Sequence, residues 1–453
     1  MPLDRGELKV RLFTNQDLKK LLIPLLIELT LTLAVGMIDS VMVASAGEGA
    51  VSGVSLVDTL MQLLIHVFQA LATGGAVVAG QYLGHKDKER ACKASGQLVW
   101  FSGIFSVGIG ALFLFGHRLI LLGLFGEITS EVYGYADIYL IITALSIPAI
   151  AVFEAGAAIF RTMGDSRITM EISMMMNGIN VIFNGVFIYG FHMATKGAAI
   201  ATLMARAAAA VVITALLLNQ NLDLHLKKTL RYRFDGGMIR DILRIGVPNG
   251  VENGMFQFGK VLLVSLVATL GTAEITAHAV TQTIANVQVI PGTAVSTAAI
   301  TVIARCVGAG DNEQVRYYNR KLQWISYGML LVMILISILA LPVILSWYGL
   351  SARTAEITTR AILIHGIGAI FLWTPTFVLP SVLRAAGDVR FAMVWSIISM
   401  WVFRIGTAHF FVRVLDWSVP GVWLGMIVDW IFRSTIFILR FHSGKWQGKG
   451  IAQ

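Results

Sequence analysis

Long apolar runs alternate with short polar segments along the whole chain. A helix needs about 20 largely apolar residues to cross the hydrocarbon core of a bilayer. Glycine, proline and clusters of charge separate the runs, as is typical of turns between helices. The pattern predicts twelve membrane-spanning helices, at residues 18–45, 51–84, 89–116, 129–162, 167–190, 195–219, 238–270, 273–308, 314–347, 354–385, 390–414 and 419–443.

The composition supports a membrane protein and argues against other classes. Of the 453 residues, 56% are hydrophobic and only 13% are charged, so a water-soluble globule would lack a polar surface. Cys92 and Cys306 both lie beside basic loops, which favours reduced structural thiols over a disulfide. The net charge of +9 comes without a basic helix that carries interleaved aromatic residues. A nucleic-acid partner is therefore not expected.

Lysine and arginine residues predict the orientation of the spans. The N-terminal segment, alternate loops and the C-terminal segment hold 26 of the 35 basic residues, including Arg5 and Lys9, whereas the other loops hold five. The positive-inside rule then places both termini in the cytoplasm. We expect a multi-pass protein of the cell membrane. The longest polar break, residues 220–237, is predicted as a cytoplasmic linker between two six-helix lobes, residues 1–219 and 238–453.

The two predicted lobes share sequence landmarks at nearly constant spacing. Pro24-x-x-x-Glu28 returns as Pro248-x-x-x-Glu252, an offset of 224 residues. The motif RTMGDSR at residues 161–167 returns as RAAGDVR at residues 384–390, an offset of 223. Because each half has six spans, the copies have the same orientation and form parallel repeats. This arrangement is typical of transporters that bind substrate between two lobes near the membrane midplane.

Several of these features together resemble the multidrug and toxic compound extrusion (MATE) transporters. They are the twelve spans in two sets of six, the segment MIDSVMVASAGEGAVSGVSL after the first span, the RTMGDSR and RAAGDVR motifs, and VDWIFRSTIFILRFHSGKW at the end. The resemblance covers nearly the whole chain. It implies a secondary active antiporter that exports amphipathic, cationic drugs or toxic compounds in exchange for Na⁺ or H⁺. No cofactor beyond the coupling cation is expected. The expected partners are the small-molecule substrate and membrane lipid, with the protein acting as a monomer.

Asp39 lies inside the first predicted span, where an unpaired carboxylate costs several kcal/mol and is therefore a candidate for function. Asn180 and Asn184 share one face of span five, and Thr202 on span six lies at a similar depth. Carboxylate, amide and hydroxyl oxygens suit a hard cation, so these four residues are predicted as an ion-coupling site for Na⁺. Hydrogen bonding between helices is the alternative.

The resemblance supports an ion site at these four positions and leaves the ion open. It implies a cation or proton site in the N-terminal lobe. The proton-coupled branch, however, carries an aspartate where this chain has Asn184. A proton carrier often has a second carboxylate beside the first. Na⁺ is therefore the preferred prediction and H⁺ the alternative. Replacing Asp39 with asparagine is expected to uncouple transport from the ion gradient.

Further polar residues inside the spans are predicted to line a substrate cavity. Glu28 lies three helical turns before Asp39 on the same face, about 16 Å along the helix axis. A polar stripe on span two also contains Asp58, and packing between helices is the alternative interpretation of this stripe. The predicted cavity residues are Glu28, Gln62, His66, Gln69 and Glu252.

Glu252 follows Pro248 in a glycine-rich part of span seven, where the helix can bend or be approached closely. The resemblance implies a glutamate of the sodium-coupled branch at this position. That branch also carries an aspartate in span ten, where the segment HGIGAIFLWTPTFVLP (residues 365–380) has no aspartate and only His365 as an ionisable residue. A structural pair of Glu252 with Lys260 or Asn253 is the alternative. Replacing Glu252 with glutamine is expected to impair export with little loss of folded protein.

The remaining charges in the spans are interpreted as structural. Asp429 and Arg433 are spaced i, i+4 on the last span, and Arg404 is predicted to join them in a buried charge network. Glu154 and Arg206 are predicted to pair with each other.

Other functions fit the sequence less well. A flippase, or an exporter of a lipid-linked or metabolite substrate, is the alternative within the same class. A membrane transferase would show clustered carboxylates or a His/Glu metal motif, and neither pattern is present in the sequence. The sequence also lacks a phosphate-binding loop for ATP hydrolysis and a segment that resembles a selectivity filter. The protein is therefore not expected to be an enzyme or a channel.

Overall fold

The computed structural model describes residues 11–126, 129–228 and 233–451, and the regular structure in these ranges is helical. The first half contains α1 (Asn15–Ala44), α2 (Glu48–Gly84), α3 (Lys88–Phe125), α4 (Ser130–Ala144), α5 (Ile147–Met163), α6 (Arg167–Asn184) and α7 (Ala194–Leu217). The second half contains α8 (Gly236–Ala268), α9 (Thr272–Gly308), α10 (Asn312–Tyr348), α11 (Ala352–Gly368), α12 (Thr374–Ala385), α13 (Val389–Ile398), α14 (Gly406–Arg413) and α15 (Ser418–His442).

Several predicted spans are built from more than one helical segment. The π-helical segment Gly185–Gly190 extends α6, Ala369–Trp373 joins α11 to α12, and Ser399–Ile405 joins α13 to α14. The fourth predicted span consists of α4 and α5, which are bent by 50° relative to each other. Pro148 lies in the first turn of α5, where backbone N–H groups have no acceptor within the helix. The missing N–H of the proline therefore costs the helix no hydrogen bond.

The helices agree with the predicted membrane fold. In the described residues, ten helical runs are long and apolar enough to cross a bilayer, and the bent pair of α4 and α5 makes an eleventh. Helix α8 has 33 residues, which is also long enough to cross, although the polar segment around Pro248 makes it less apolar. The prediction of an all-α membrane protein is confirmed, and the helices are consistent with twelve spans.

The two halves contact each other closely at the end of the molecule that holds both described chain ends. The carbonyl carbon of Arg305 on α9 is 2.9 Å from the position that a Cβ on Gly84 would take. The carbonyl carbon of Gln81 on α2 lies 2.6 Å from the corresponding position on Gly308. Helices α2 and α9 therefore touch backbone to backbone, and only glycine fits at these two positions.

Polar contacts reinforce this closed end. Gln81 donates to the carbonyl of Ala385 at 2.9 Å and accepts from the backbone N–H of Ile451 at 2.6 Å. The hydroxyl of Tyr318 accepts from the N–H of Phe13 at 2.9 Å and donates to its carbonyl at 2.7 Å. In the described ranges, the hydrogen bonds that join α1–α7 to α8–α15 lie at this end, so the halves separate towards the other end.

The segment between α7 and α8 lies against the first half. Lys93 on α3 forms an ion pair with Asp235 at 2.5 Å, and Gln97 donates to the carbonyl of Arg233 at 2.9 Å. Asp235 also accepts from the N–H groups of Gly237 and Met238 at the start of α8. The hydrogen bond from Lys93, together with these N–H donors, holds the pKa of Asp235 below its usual range. Residues 229–232 of the predicted linker, and the predicted cytoplasmic residues Arg5 and Lys9, lie outside the described ranges.

Candidate functional site

A cavity of about 600 Å³ lies between the two halves. Most of its wall comes from α1, α2, α5, α6 and α7 of the first half, and α8 and α9 contribute Asn249, Asn253, Thr293 and Thr297. A second cavity of about 520 Å³ lies between α1 and α9 and shares Thr32, Gly36 and Gln62 with the first. The size and position fit a site for a small organic molecule.

The structure brings the four predicted ion-site residues together on the wall of this cavity. Asn184 donates to Asp39 Oδ1 at 2.9 Å. The Asn180 amide lies 2.8 and 2.9 Å from the two carboxylate oxygens of Asp39 when its nitrogen faces them, and its oxygen then accepts from Thr202 at 3.1 Å. Asn180 and Asn184 are buried, and Asn184 Oδ1 has no hydrogen-bond partner. An oxygen without a partner beside a carboxylate is a suitable cation ligand.

A second group of polar residues on the cavity wall surrounds Asp58. Tyr139 donates to Asp58 at 3.2 Å, and Arg206 donates to Ser146 at 3.0 Å. Arg206 is close enough to act electrostatically on both Asp39 and Asp58. The predicted pair of Glu154 with Arg206 is not formed. Tyr139 was not predicted as a site residue, because one tyrosine in an apolar span carries no distinguishing signal.

Glu28 lines the cavity and is held by three donors. Arg161 donates to it at 3.0 Å, Ser173 at 3.1 Å and Thr169 at 3.2 Å. Only 8% of Glu28 is exposed. These partners were not predicted, although Arg161 is the first residue of the RTMGDSR motif. A carboxylate with this many partners is stabilised without a ligand.

The predicted polar stripe of α2 also faces the cavity. Gln62 and Gln69 are exposed there and His66 is half-buried. His66 Nδ1 lies 3.3 Å from Gln69 Oε1, and Gln69 Nε2 donates to Glu154 Oε1 on α5 at 3.2 Å. The three side chains form a hydrogen-bonded row from α2 to α5.

Glu252 lies in a different environment from the other predicted cavity residues. Its side chain is buried and accepts a hydrogen bond from Arg384 at 2.7 Å, with Arg433 at 3.8 Å. Its neighbours Asn249 and Asn253 on α8 line the cavity, whereas Glu252 is not among the cavity-lining residues. Its ion-pair partners are arginines of α12 and α15 rather than Lys260 or Asn253.

The predicted charge network is present with altered pairing. Arg404 lies 3.7 Å from Asp429, which also accepts from Ser399 at 2.5 Å. Arg433 donates to Ser396 at 3.1 Å and pairs with Glu252 rather than with Asp429. Asp429 and Arg433 are one turn apart on α15, but Asp429 contacts the segment Ser399–Ile405, whereas Arg433 contacts α13 and α8.

His365 of predicted span ten is buried. Its Nδ1 lies 2.6 Å from Gln288 Oε1, and its ring contacts Trp423 and Trp430.

The described residues contain no group of three or more His, Cys, Asp or Glu side chains that could hold a metal ion. A site for a monovalent cation at Asp39 would therefore depend on one carboxylate and neutral oxygens.

A helical membrane protein with repeated halves and a polar cavity between them is a transporter of the two-lobe class. The MatE family model matches residues 24–186 and again residues 248–409, one match in each half. The chain belongs to the MATE family of transporters. The resemblance identified from the motifs is therefore confirmed, and the protein is a transmembrane transporter rather than an enzyme.

Curated relatives match over almost their whole length. A "Probable multidrug resistance protein NorM" of Thermotoga maritima is 26% identical over 444 residues, covering 96% of this chain and 94% of the relative. The "Uncharacterized transporter YisQ" of Bacillus subtilis is also 26% identical, over 95% of this chain and 94% of the relative.

Solved structures share the fold. A MOP superfamily transporter from Pyrococcus furiosus, described with the words "Reverse polarity of binding pocket", superposes with a TM-score of 0.88 at 20% identity, covering 95% of this chain and 96% of that one. A multidrug resistance MATE family transporter in an outward-facing conformation gives a TM-score of 0.86 at 20% identity, with the same coverage. These similarities confirm the architecture of two repeated lobes.

Proposed function

We propose that this protein is an ion-coupled antiporter that exports amphipathic organic cations. The charge balance of the cavity is the main support. Its described wall holds four carboxylates, from Glu28, Asp39, Asp58 and Glu154, and two guanidinium groups, from Arg161 and Arg206. With the carboxylates ionised, the wall carries two net negative charges next to apolar surface from residues such as Ile65 and Phe153. A low-dielectric cavity of this charge favours cations that also have apolar surface. Several relatives are named probable multidrug resistance proteins, which supports the export of small drug-like molecules.

Asp39 is the proposed site of the coupling ion, with Na⁺ favoured over H⁺. The orphan oxygen of Asn184 supports Na⁺, because a partly dehydrated hard cation needs several oxygen ligands. The Asn180 amide can turn about its last bond and offer its oxygen, and Thr202 supplies a hydroxyl. Asp39, Asn180, Asn184 and Thr202 would therefore replace hydration water around the ion.

Alternating access would come from movement of the N-terminal lobe, residues 1–219, relative to the C-terminal lobe, residues 238–453. The lobes are closed at the end that contains α2 residue Gly84 and α9 residue Gly308, so the cavity is accessible from the opposite side. With both termini in the cytoplasm of a cell-membrane protein, this is an outward-facing state. Ion binding at Asp39 would lower the free energy of one state relative to the other, which drives exchange. The proposed working unit is a monomer.

A lipid-like substrate is the second candidate, and the groove between α1 and α9 favours it. This second cavity joins the first along Thr32 and Gly36, and most of its lining surface is apolar, with Leu33 and Ile290 among the contributing residues. An acyl chain could occupy such a groove while its head group lies in the main cavity. A flippase would then move labelled lipid between leaflets.

Transport by purified protein in liposomes tests these assignments. Wild type is expected to exchange a cationic dye for Na⁺ when a Na⁺ gradient is imposed at constant pH. Asp39→Asn is expected to lose this response, whereas the matched control Glu171→Gln, which removes an exposed carboxylate that pairs with Arg167, is expected to keep it. If exchange follows a pH gradient equally well in Na⁺-free buffer, the coupling ion is H⁺ and not Na⁺. If the Asp39→Asn protein still responds to either gradient, Asp39 does not bind the coupling ion. Movement of labelled lipid without dye transport would favour the flippase.

A further inference from the structure

The cavity has two acidic levels rather than one. On α2, Asp58 and Gln69 both face the cavity and are 11 residues apart, which is about 16 Å along the helix axis. Asp58 contacts Tyr139 at the level nearer the open end, where Arg206 links it electrostatically to Asp39. Gln69 contacts Glu154 at the level nearer the closed end. A coupling ion at one level leaves the other level free for an organic cation.

Glu154 is a carboxylate on the cavity wall whose charge has little direct compensation. In the described ranges it has no basic group within ion-pair distance, and its direct hydrogen bond comes from the neutral amide of Gln69 at 3.2 Å. Arg161 and Glu28 act on it electrostatically from a longer distance, but they form an ion pair with each other at 3.0 Å. A half-buried carboxylate at this depth is costly unless a ligand provides the missing positive charge.

The surroundings of Glu154 have space and apolar surface for a ligand. Ile150, Glu154, Ala158 and Arg161 follow one face of α5 and line the cavity. One turn beyond Glu154, Ala158 packs against Ala72 and Ala76 of α2, so small side chains form the floor. Alkyl groups can therefore approach the carboxylate closely from the cavity side.

We propose that Glu154, oriented by Gln69, binds the cationic group of the exported substrate, while Asp39 at the other level binds the coupling ion. This inference rests on the proposed antiport function and adds the residue that recognises the substrate charge. The favoured ligand is an alkylammonium group attached to an apolar body. Because the two levels are about 16 Å apart along α2, substrate and ion do not compete for the same carboxylate. Their exchange follows from the conformations that each one stabilises.

Two fluorescent probes of equal shape test the assignment. One dansyl probe ends in a trimethylammonium group, and the other ends in a neutral tert-butyl group, so they differ only in charge. Binding of each probe to purified full-length protein is measured by fluorescence for wild type, Glu154→Gln, Glu154→Asp, Asp39→Asn and Glu171→Gln. Size-exclusion profiles and thermal unfolding show whether each variant is folded.

Wild type is expected to bind the charged probe at least about ten-fold more tightly than the neutral one. Glu154→Gln is expected to bind both probes equally, with the affinity for the neutral probe changed less than about two-fold. Glu154→Asp, Asp39→Asn and Glu171→Gln are expected to keep the preference for the charged probe. A folded Glu154→Gln protein that retains the preference overturns the assignment of Glu154 alone. If Asp39→Asn loses the preference and Glu154→Gln keeps it, Asp39 is the residue that binds the cationic group of the probe. This result also overturns the assignment of Glu154. A wild-type protein without any preference overturns both the assignment and the proposed export of cations.

Discussion

Arg161 donates to Glu28 at 3.0 Å, and the equivalent residues of the second half repeat this pair, because Arg384 donates to Glu252 at 2.7 Å. Each glutamate lies four residues after a proline in the first helix of its half, and each arginine begins an R-x-x-G-D motif. The two sequence landmarks that revealed the repeat are thus direct partners in the structure. Glu28 and Glu252 are therefore neutralised by an arginine of their own lobe, unlike the cavity carboxylates that have no basic group within ion-pair distance.

Removing Arg161 should destabilise the first lobe. In Arg161→Met, Glu28 would be left buried with only two hydroxyl donors, and we expect a loss of about 3 kcal/mol, since breaking a buried pair costs roughly 3–5 kcal/mol. Thermal unfolding of the purified protein measures the change. Glu28→Gln combined with Arg161→Met should recover at least half of it. The control Arg167→Met breaks an exposed pair with Glu171 and should cost under about 1 kcal/mol. Equal losses in the two single variants would contradict this prediction.

Glu252→Gln should lower stability as well as export. The sequence led us to expect little loss of folded protein, but the structure places two arginines, Arg384 and Arg433, beside this buried carboxylate. Without it, two buried guanidinium groups would repel each other, and we expect a loss of about 3–5 kcal/mol. Thermal unfolding and the yield of monodisperse protein test this, with the exposed Glu356→Gln as a control. A Glu252→Gln protein of wild-type stability that no longer transports would instead support a direct role in transport.

Asn184→Asp should shift coupling from Na⁺ towards H⁺. The side-chain nitrogen of Asn184 lies 2.9 Å from Asp39, so the variant places two carboxylates within hydrogen-bond distance. Two carboxylates this close hold one proton between them, because both cannot be ionised without strong repulsion. Dye transport by the variant should follow a pH gradient in Na⁺-free buffer. Asn177→Asp, one turn away from Asn180 on α6, is the matched control and should keep the wild-type ion dependence. An unchanged requirement for Na⁺ in Asn184→Asp would argue against Asp39 as the ion-binding residue.

Adding a methyl group at Gly308 should open the closed end. A Cβ there would overlap the backbone of Gln81 on α2, so α2 and α9 would have to separate. In Gly308→Ala, we expect the distance between spin labels at residues 89 and 313, beside the two loops, to increase by several ångströms. The control Gly328→Ala adds a methyl group where nothing lies within 4 Å. An unchanged label distance in Gly308→Ala would mean that the interface absorbs the methyl group without opening.

The sequence by itself determined the helices, the repeat and the family. Apolar runs of sufficient length can only be helical in a bilayer, because each backbone polar group must find its partner within the helix. The prediction of Asp39, Asn180, Asn184 and Thr202 as one group also came from the sequence. Their calculated depths in the membrane are similar, since the helical rise converts residue number into distance from the membrane surface. Similar depths place the four side chains in one layer.

Only the tertiary structure decided which charges are partners. Glu154 on α5 and Arg206 on α7 were predicted to pair, yet they contact Gln69 and Ser146 instead. Asp429 and Arg433 share a helical face, yet Arg433 pairs with Glu252 from α8. Pairing depends on the rotation of each helix about its axis and on which helices meet, and residue spacing within one helix does not specify either. Packing within each half therefore decided that Glu252 pairs with arginines, while Glu154 faces the cavity without a cationic partner in the described chain.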